Sequence, residues 1–145
     1  MHTLSGGCHC GNMSVRLEIG LLPADCNPRV CDCDFCVGFG SAYLSDPEGA
    51  MAIHINDTSK IERVRQGNRI AEFIICGTCG VLVAALYEES GRSFGVVNAR
   101  VLGDRKLFGD EVPVSPKKLG ADERTARWKQ LWFSRVRVET VADRS

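Results

Sequence analysis

The clearest pattern in the chain is alternation. Met13, Val15, Leu17 and Ile19 are separated by Ser14, Arg16 and Glu18. A period of two sends one row of side chains to a core and the other to water, the mark of a half-buried strand. Met51, Ile53 and Ile55 repeat it between Ala52, His54 and Asn56. Ala42-Tyr43-Leu44 begins another strand. Residues 61–65 and 69–75 flank Gln66-Gly67-Asn68, which reads as a hairpin turn. Ile74-Ile75 leads into Cys76-Gly77-Thr78-Cys79-Gly80 and residues 81–87 lead out, predicting a second hairpin with a cysteine pair as its turn. Gly91 turns the chain into a strand over 94–102. Short strands with glycine-rich turns predict a mainly β, largely antiparallel fold.

The remaining stretches read differently. Residues 6–11, Gly6-Gly7-Cys8-His9-Cys10-Gly11, form a glycine-flanked loop. Pro23 to Arg29 is a second loop, and Gly38-Phe39-Gly40-Ser41 is rich in turn formers. Beyond Phe108 the character changes. Pro113 and Pro116 mark a linker-like stretch. Asp122 is placed to cap a helix running to about Phe133, with Trp128 and Trp132 one turn apart on one face. Val136 and Val138 alternate with Arg135 and Arg137, as in a short final strand. The expected organisation is a β domain over 1–110 and a C-terminal extension over 111–145 packed on the same domain.

Composition narrows the class. A length of 145 residues suits one domain. Lys plus Arg and Asp plus Glu number 18 each, so the net charge is zero. That balance argues against general nucleic-acid binding. No apolar run approaches ~20 residues, so no membrane span is expected. Met1 to Gly7 lacks the basic and apolar regions of a secretory signal, which predicts a cytoplasmic protein.

The chemistry is carried by cysteine. Seven of the eight cysteines fall in three clusters: Cys8/Cys10, Cys31/Cys33/Cys36 and Cys76/Cys79. In a reducing compartment such clusters point to metal or catalysis before disulfides, and Cys-x-Cys pairs rarely meet disulfide geometry without strain. Zinc takes four ligands in a tetrahedron and suits thiolates. Two doublets make one full set and would join distant strands. Three thiolates at 31, 33 and 36 leave a position open for substrate, unless Cys26 closes it and makes that site structural too. An iron–sulfur centre is a further reading, although the spacing departs from ferredoxin patterns. Asp32 and Asp34 suit acid/base work or ligand orientation, or simply loop solubility. Phe35 and Phe39 suit either a pocket wall or the core. Trp128 and Trp132 suit packing on the β core, or a lid or dimer contact. His9 and His54 read as surface histidines.

Taken together, the Gly-Gly-Cys-His-Cys-Gly loop, Cys31-x-Cys33-x-x-Cys36 and Cys76-x-x-Cys79-Gly resemble the glutathione-dependent formaldehyde-activating enzyme family, which includes centromere protein V. The likeness spans about residues 5–105. It implies a small antiparallel zinc-binding β-tent. It further implies two Zn²⁺ per chain: a structural one on Cys8, Cys10, Cys76 and Cys79, and a catalytic one on Cys31, Cys33 and Cys36. The implied activity is that of a carbon–sulfur lyase on a thiol–aldehyde adduct, with a small-molecule thiol and aldehyde as partners. A non-catalytic two-zinc scaffold or binding module is the alternative. The family often has Cys-His-Cys at the central cluster and Arg or Lys after its third cysteine. Here Asp32 and Val37 stand there, so the expected thiol is one with less charge than glutathione.

Overall fold

The computed structural model describes residues 1–65 and 70–140. Eleven strands among them form two sheets. The first sheet takes β1 (His2–Gly7), β2 (Met13–Ile19), β5 (Ala50–Ile55) and β11 (Val136–Thr140), in the order β1-β2-β5-β11. The second takes β3 (Arg29–Cys31), β4 (Tyr43–Leu44), β6 (Ile61–Val64), β7 (Glu72–Cys76), β8 (Leu82–Glu89), β9 (Arg92–Asn98) and β10 (Val112–Val114). Its order is β10-β3-β4-β9-β8-β7-β6. Most pairings are antiparallel; β10 with β3 and β11 with β5 are parallel.

The alternating strands behave as the period of two requires. Met13, Val15, Leu17 and Ile19 of β2 are buried, and so are Met51, Ile53 and Ile55 of β5. They face Ile74, Cys76, Val83 and Val97 of the second sheet across the main core. That second sheet is covered on both faces. Its other side carries Phe73, Ile75, Leu82, Ala85, Phe94 and Val96, under Trp132 and beside Cys31 and Cys36. Burial on two faces explains why β8 reads as a near-continuous apolar run rather than an alternation.

Several expectations change. Residues 2–7 form a strand, pinned to β2 from His2↔Ile19 to Gly7↔Ser14. Its single buried side chain, Leu4, gives no periodic signal. The stretch before Ser41 holds a short helix, α1 (Asp34–Phe39), ended by Gly40. The strand after Gly91 stops at Asn98, and a 3-10 turn follows over Ala99–Val101. The linker-like stretch is in part β10, with Pro113 inside it at the edge of the sheet, where a missing N–H is tolerated. The late helix α2 (Ala121–Leu131) starts at Gly120, so Asp122 lies in its first turn and is not the cap. Gln66-Gly67-Asn68 lies outside the described residues, while β6 and β7 on either side pair from Ile61↔Cys76 to Val64↔Phe73. Residues 111–140 contribute a strand to each sheet and rest on the same core through Phe133. No helix among the described residues is long and apolar enough to cross a membrane.

Candidate metal centres

Two groups of thiols converge. Cys8, Cys10, Cys76 and Cys79 place their sulfurs within 4.8 Å of one another, and Cys31, Cys33 and Cys36 do the same. Each group can hold a metal ion.

The four-thiol group closes the gap between the sheets. Cys8 and Cys10 sit in the β1–β2 turn of the first sheet, and Cys76 ends β7 of the second. Cys10 Sγ lies 3.4 Å from Cys76 Sγ and 3.6 Å from Cys8 Sγ. The turn after β7 is tight: Gly80 N–H donates to the Cys76 carbonyl at 2.8 Å, and Gly80 has φ 75°. That left-handed backbone is natural for glycine alone, which explains the Cys-Gly-Thr-Cys-Gly form. Met13 N–H donates to Cys8 Sγ at 3.3 Å. Burial raises the Cys79 thiol, but amides of Cys10 and Val81 and the Cys76 thiol outweigh it and bring it down to about 6. The Asn12 amide lowers Cys10, yet the Cys76 sulfur, burial and the Cys8 sulfur push it up to about 11. The amides thus favour thiolate, and the close sulfurs share what protons remain.

The three-thiol group is built by a strand running into a helix. Cys31 ends β3, Cys33 is the N-cap of α1, and Cys36 lies in its first turn. The Cys33 sulfur accepts from the Cys36 amide at 3.4 Å, so a thiol does the capping work usually left to Ser or Asp. A hydrogen bond from Cys36 pushes Cys31 down to about 6 against burial, and Cys36 is pushed up, by Cys31 and then by burial. Tyr43 Oη is 3.2 Å from Cys36 Sγ and accepts from Ser41 Oγ at 3.0 Å. Burial and the neighbouring Cys36 hold Tyr43 far above the ordinary phenol range, so it is a neutral hydroxyl.

This second group opens onto a cavity of about 460 Å³ on the outer side of the larger sheet; the four-thiol group lines none of it. Phe35, Tyr43, Phe73, Trp128 and Trp132 supply aromatic wall, and Arg29, Lys117, Arg124 and Arg127 supply cations. Asp34 is the one carboxylate in that lining. Burial, and then the charge of Arg127, pushes Arg29 down from its usual value. The charge absent after Cys36 is therefore present from other segments, and the expectation of a less charged thiol loses its premise. Val37, where a cation was looked for, is 61% exposed and lines no part of the cavity.

The other candidates fall into place. Cys26 belongs to neither group; its sulfur is 3.5 Å from the Leu22 carbonyl. Burial and the charges of Asp46 and Asp25 raise its thiol, so it is an unreactive core residue. Asp32 turns away to Ser115 Oγ at 2.7 Å and Lys117 Nζ at 3.9 Å. Phe39 is exposed and packs at a tilt against Phe35, with ring centres 5.0 Å apart. Trp128 and Trp132 stack at 4.6 Å and pack on the β core, and both also line the cavity wall. His9 is exposed, and His54 lies on the outer row of β5, bonded to Asn56 at 3.1 Å. Tyr43, Arg29, Arg124, Arg127 and Lys117 carried no sequence signal of a site. Only the proximity of Arg29 and Tyr43 to the cysteine cluster hinted at it.

No protein-family pattern matches the chain, and no curated protein does. A crystal structure of a Rhodobacter sphaeroides protein, solved as a structural-genomics target, is similar over 75% of this chain and 97% of that one. The TM-score is 0.51 and the sequence identity 26%, a likeness of fold.

Proposed function

We propose that this protein is a zinc-dependent carbon–sulfur lyase that makes and breaks a thiol–aldehyde adduct, in the manner of the glutathione-dependent formaldehyde-activating enzymes it resembles. One observation carries the reading: the three-thiol group faces a cavity, while the four-thiol group clasps two sheets. The donors fit zinc. A tetrahedron with Zn–S bonds of ~2.3 Å has edges of ~3.8 Å, and two edges of the four-thiol group measure 3.4 and 3.6 Å. With Cys26 elsewhere, no fourth cysteine, histidine or carboxylate among the described residues joins Cys31, Cys33 and Cys36. That weighs against the two-zinc scaffold, which needs the central site closed. Cys31, Cys33 and Cys36 would hold the zinc, which when bound would supply Lewis-acid stabilisation of a thiolate's charge.

The chain's own residues do the rest. In the cleavage direction the adduct's hydroxyl loses its proton, the oxygen pair forms the carbonyl, and the carbon–sulfur bond breaks with its electrons left on sulfur. Asp34, as the cavity's carboxylate, takes that proton and returns it to the alkoxide in the condensation direction. Tyr43 stays protonated, so it acts as a donor that holds Cys36 in place rather than as the base. The aromatic wall gives the reacting carbon an apolar face to lie against.

Proton NMR on the zinc-loaded protein tests this by following S-hydroxymethyl adducts against the uncatalysed reaction. Turnover is expected, falling by about 100-fold or more in Asp34→Asn. A sample with two zinc ions per chain that turns over no adduct overturns the reading.

A further inference from the structure

The cavity holds more cationic charge than the chain itself satisfies. Arg29 on β3 hydrogen-bonds Ser45 Oγ at 2.6 Å, and no ion pair among the described residues involves it. Arg127 on α2, exposed at the rim, has none either. Arg124, one turn earlier on α2, uses its guanidinium on the carbonyls of Pro116 and Leu119, at 3.2 and 3.3 Å, and so fixes the segment that carries the rim. Neither guanidinium pairs with Asp34, the one carboxylate of the lining, so the two repel each other, and the inner one also loses hydration. A chain gains nothing for its fold from that arrangement. An anion entering the cavity relieves both costs at once.

The rest of the wall says what carries the anion. Phe35 and Phe73 lie with ring centres 4.8 Å apart, and the Trp128–Trp132 stack stands in the same lining. These are flat apolar surfaces, suited to a planar body and poorly matched to the many polar groups of an extended peptide. We infer that Arg29 and Arg127 recognise a carboxylate or phosphate at the end of a flat apolar body seated among these rings. For the substrate this means a compact anionic thiol, an identification that rests on the lyase reading; the anion subsite itself does not. Arg127 and Trp128 join the subsite from α2, outside the stretch that holds the cysteines, while Arg29 and Phe35 come from within it.

The test needs no thiol. The chain has two tryptophans, both in the cavity wall, so their fluorescence reports occupancy directly. Benzoate, phenyl phosphate and benzamide are titrated into the zinc-loaded protein. At least one anion is expected to bind about tenfold or more tighter than benzamide, as a charge-assisted hydrogen bond gives; the tighter of the two identifies the acid group. Arg127→Gln should bring that preference to within about threefold of parity, Arg127→Lys should keep most of it, and Lys106→Gln, away from the cavity, should leave it whole. Equal binding of benzamide and both anions overturns the inference, as does a preference that survives Arg127→Gln. Adduct turnover that fails while the benzoate preference stands removes the lyase and leaves the subsite.

Discussion

Cys36 and Cys79 are alike in type and differ in what they hold. Cys79 belongs to the group that ties the β1–β2 turn to the β7–β8 turn, so removing it opens a contact between two sheets. A metal bound by the folded chain and not by the unfolded one adds its binding energy to stability. Cys36 belongs to a group confined to residues 31–36, where the local strand–helix turn also has the Cys33 cap and the Tyr43 contact to support it. Cys79→Ser is therefore expected to lower the melting temperature sharply or to prevent folding. Cys36→Ser should leave a folded chain with about one zinc per molecule and no adduct turnover. Circular dichroism on melting, with elemental analysis of each variant, separates the two. Equal loss of folding in both would assign the central group a structural role and return the scaffold reading. At this scale the sequence was informative about which thiols converge, because close spacing along the chain brings sulfurs together. It hinted at Arg29 and Tyr43 only through their nearness to the cysteine cluster, and it was silent about Arg127, which α2 brings from the far end of the chain.

Among the elements, legibility followed locality. β2 and β5 are half-buried and alternate, so their faces show in the sequence. The β7–β8 hairpin was readable from its cysteine turn. α1 was not, because Asp34–Phe39 is six residues long and holds Val37 and Gly38; its order comes from the Cys33 cap and the closing bonds at Gly40. β10 hid behind Pro113. The two parallel pairings were illegible for a further reason: parallel partners need long connections, and their register is set in tertiary structure. β11 shows how the end of the chain is held. Just before it, Phe133 is fully buried, and its amide and carbonyl exchange hydrogen bonds with Gly95 at 2.9 and 3.0 Å. Phe133→Ala keeps those backbone bonds and empties the space between β5 and β9, so a loss of ~3–5 kcal/mol is expected. Chemical denaturation measures it. A loss below about 1 kcal/mol would show that residues 132–140 are an appendage and not part of the core.

For the whole molecule, the proposed function divides stability from chemistry between the two thiol groups. One joins the sheets on the side of the main core; the other lies on the opposite face of the larger sheet, beside a cavity lined by aromatic and cationic side chains. Removal of metal should consequently occur in two steps. The three-thiol centre offers fewer ligands and faces the cavity, so a chelator reaches it first. Metal content should fall from about two to about one per chain with far-ultraviolet dichroism unchanged. The near-ultraviolet signal of Trp128 and Trp132 should change in this step, since both rings line that cavity. The second step takes the four-thiol metal and the fold together. Acid moves both steps the same way. Each ligand thiol must lose its proton to bind metal, so affinity falls by up to about tenfold per pH unit for each thiol once the pH is below its free value. The stabilisation is complete at higher pH and is lost as pH falls, so less chelator should suffice at pH 6 than at pH 8. Metal content, dichroism and melting temperature, read on the same chelator titration at both pH values, check each part. A single step in which both metals and the fold vanish together would mean that the sites are coupled. Loss of both metals without any change in melting temperature would mean that neither clasps the sheets.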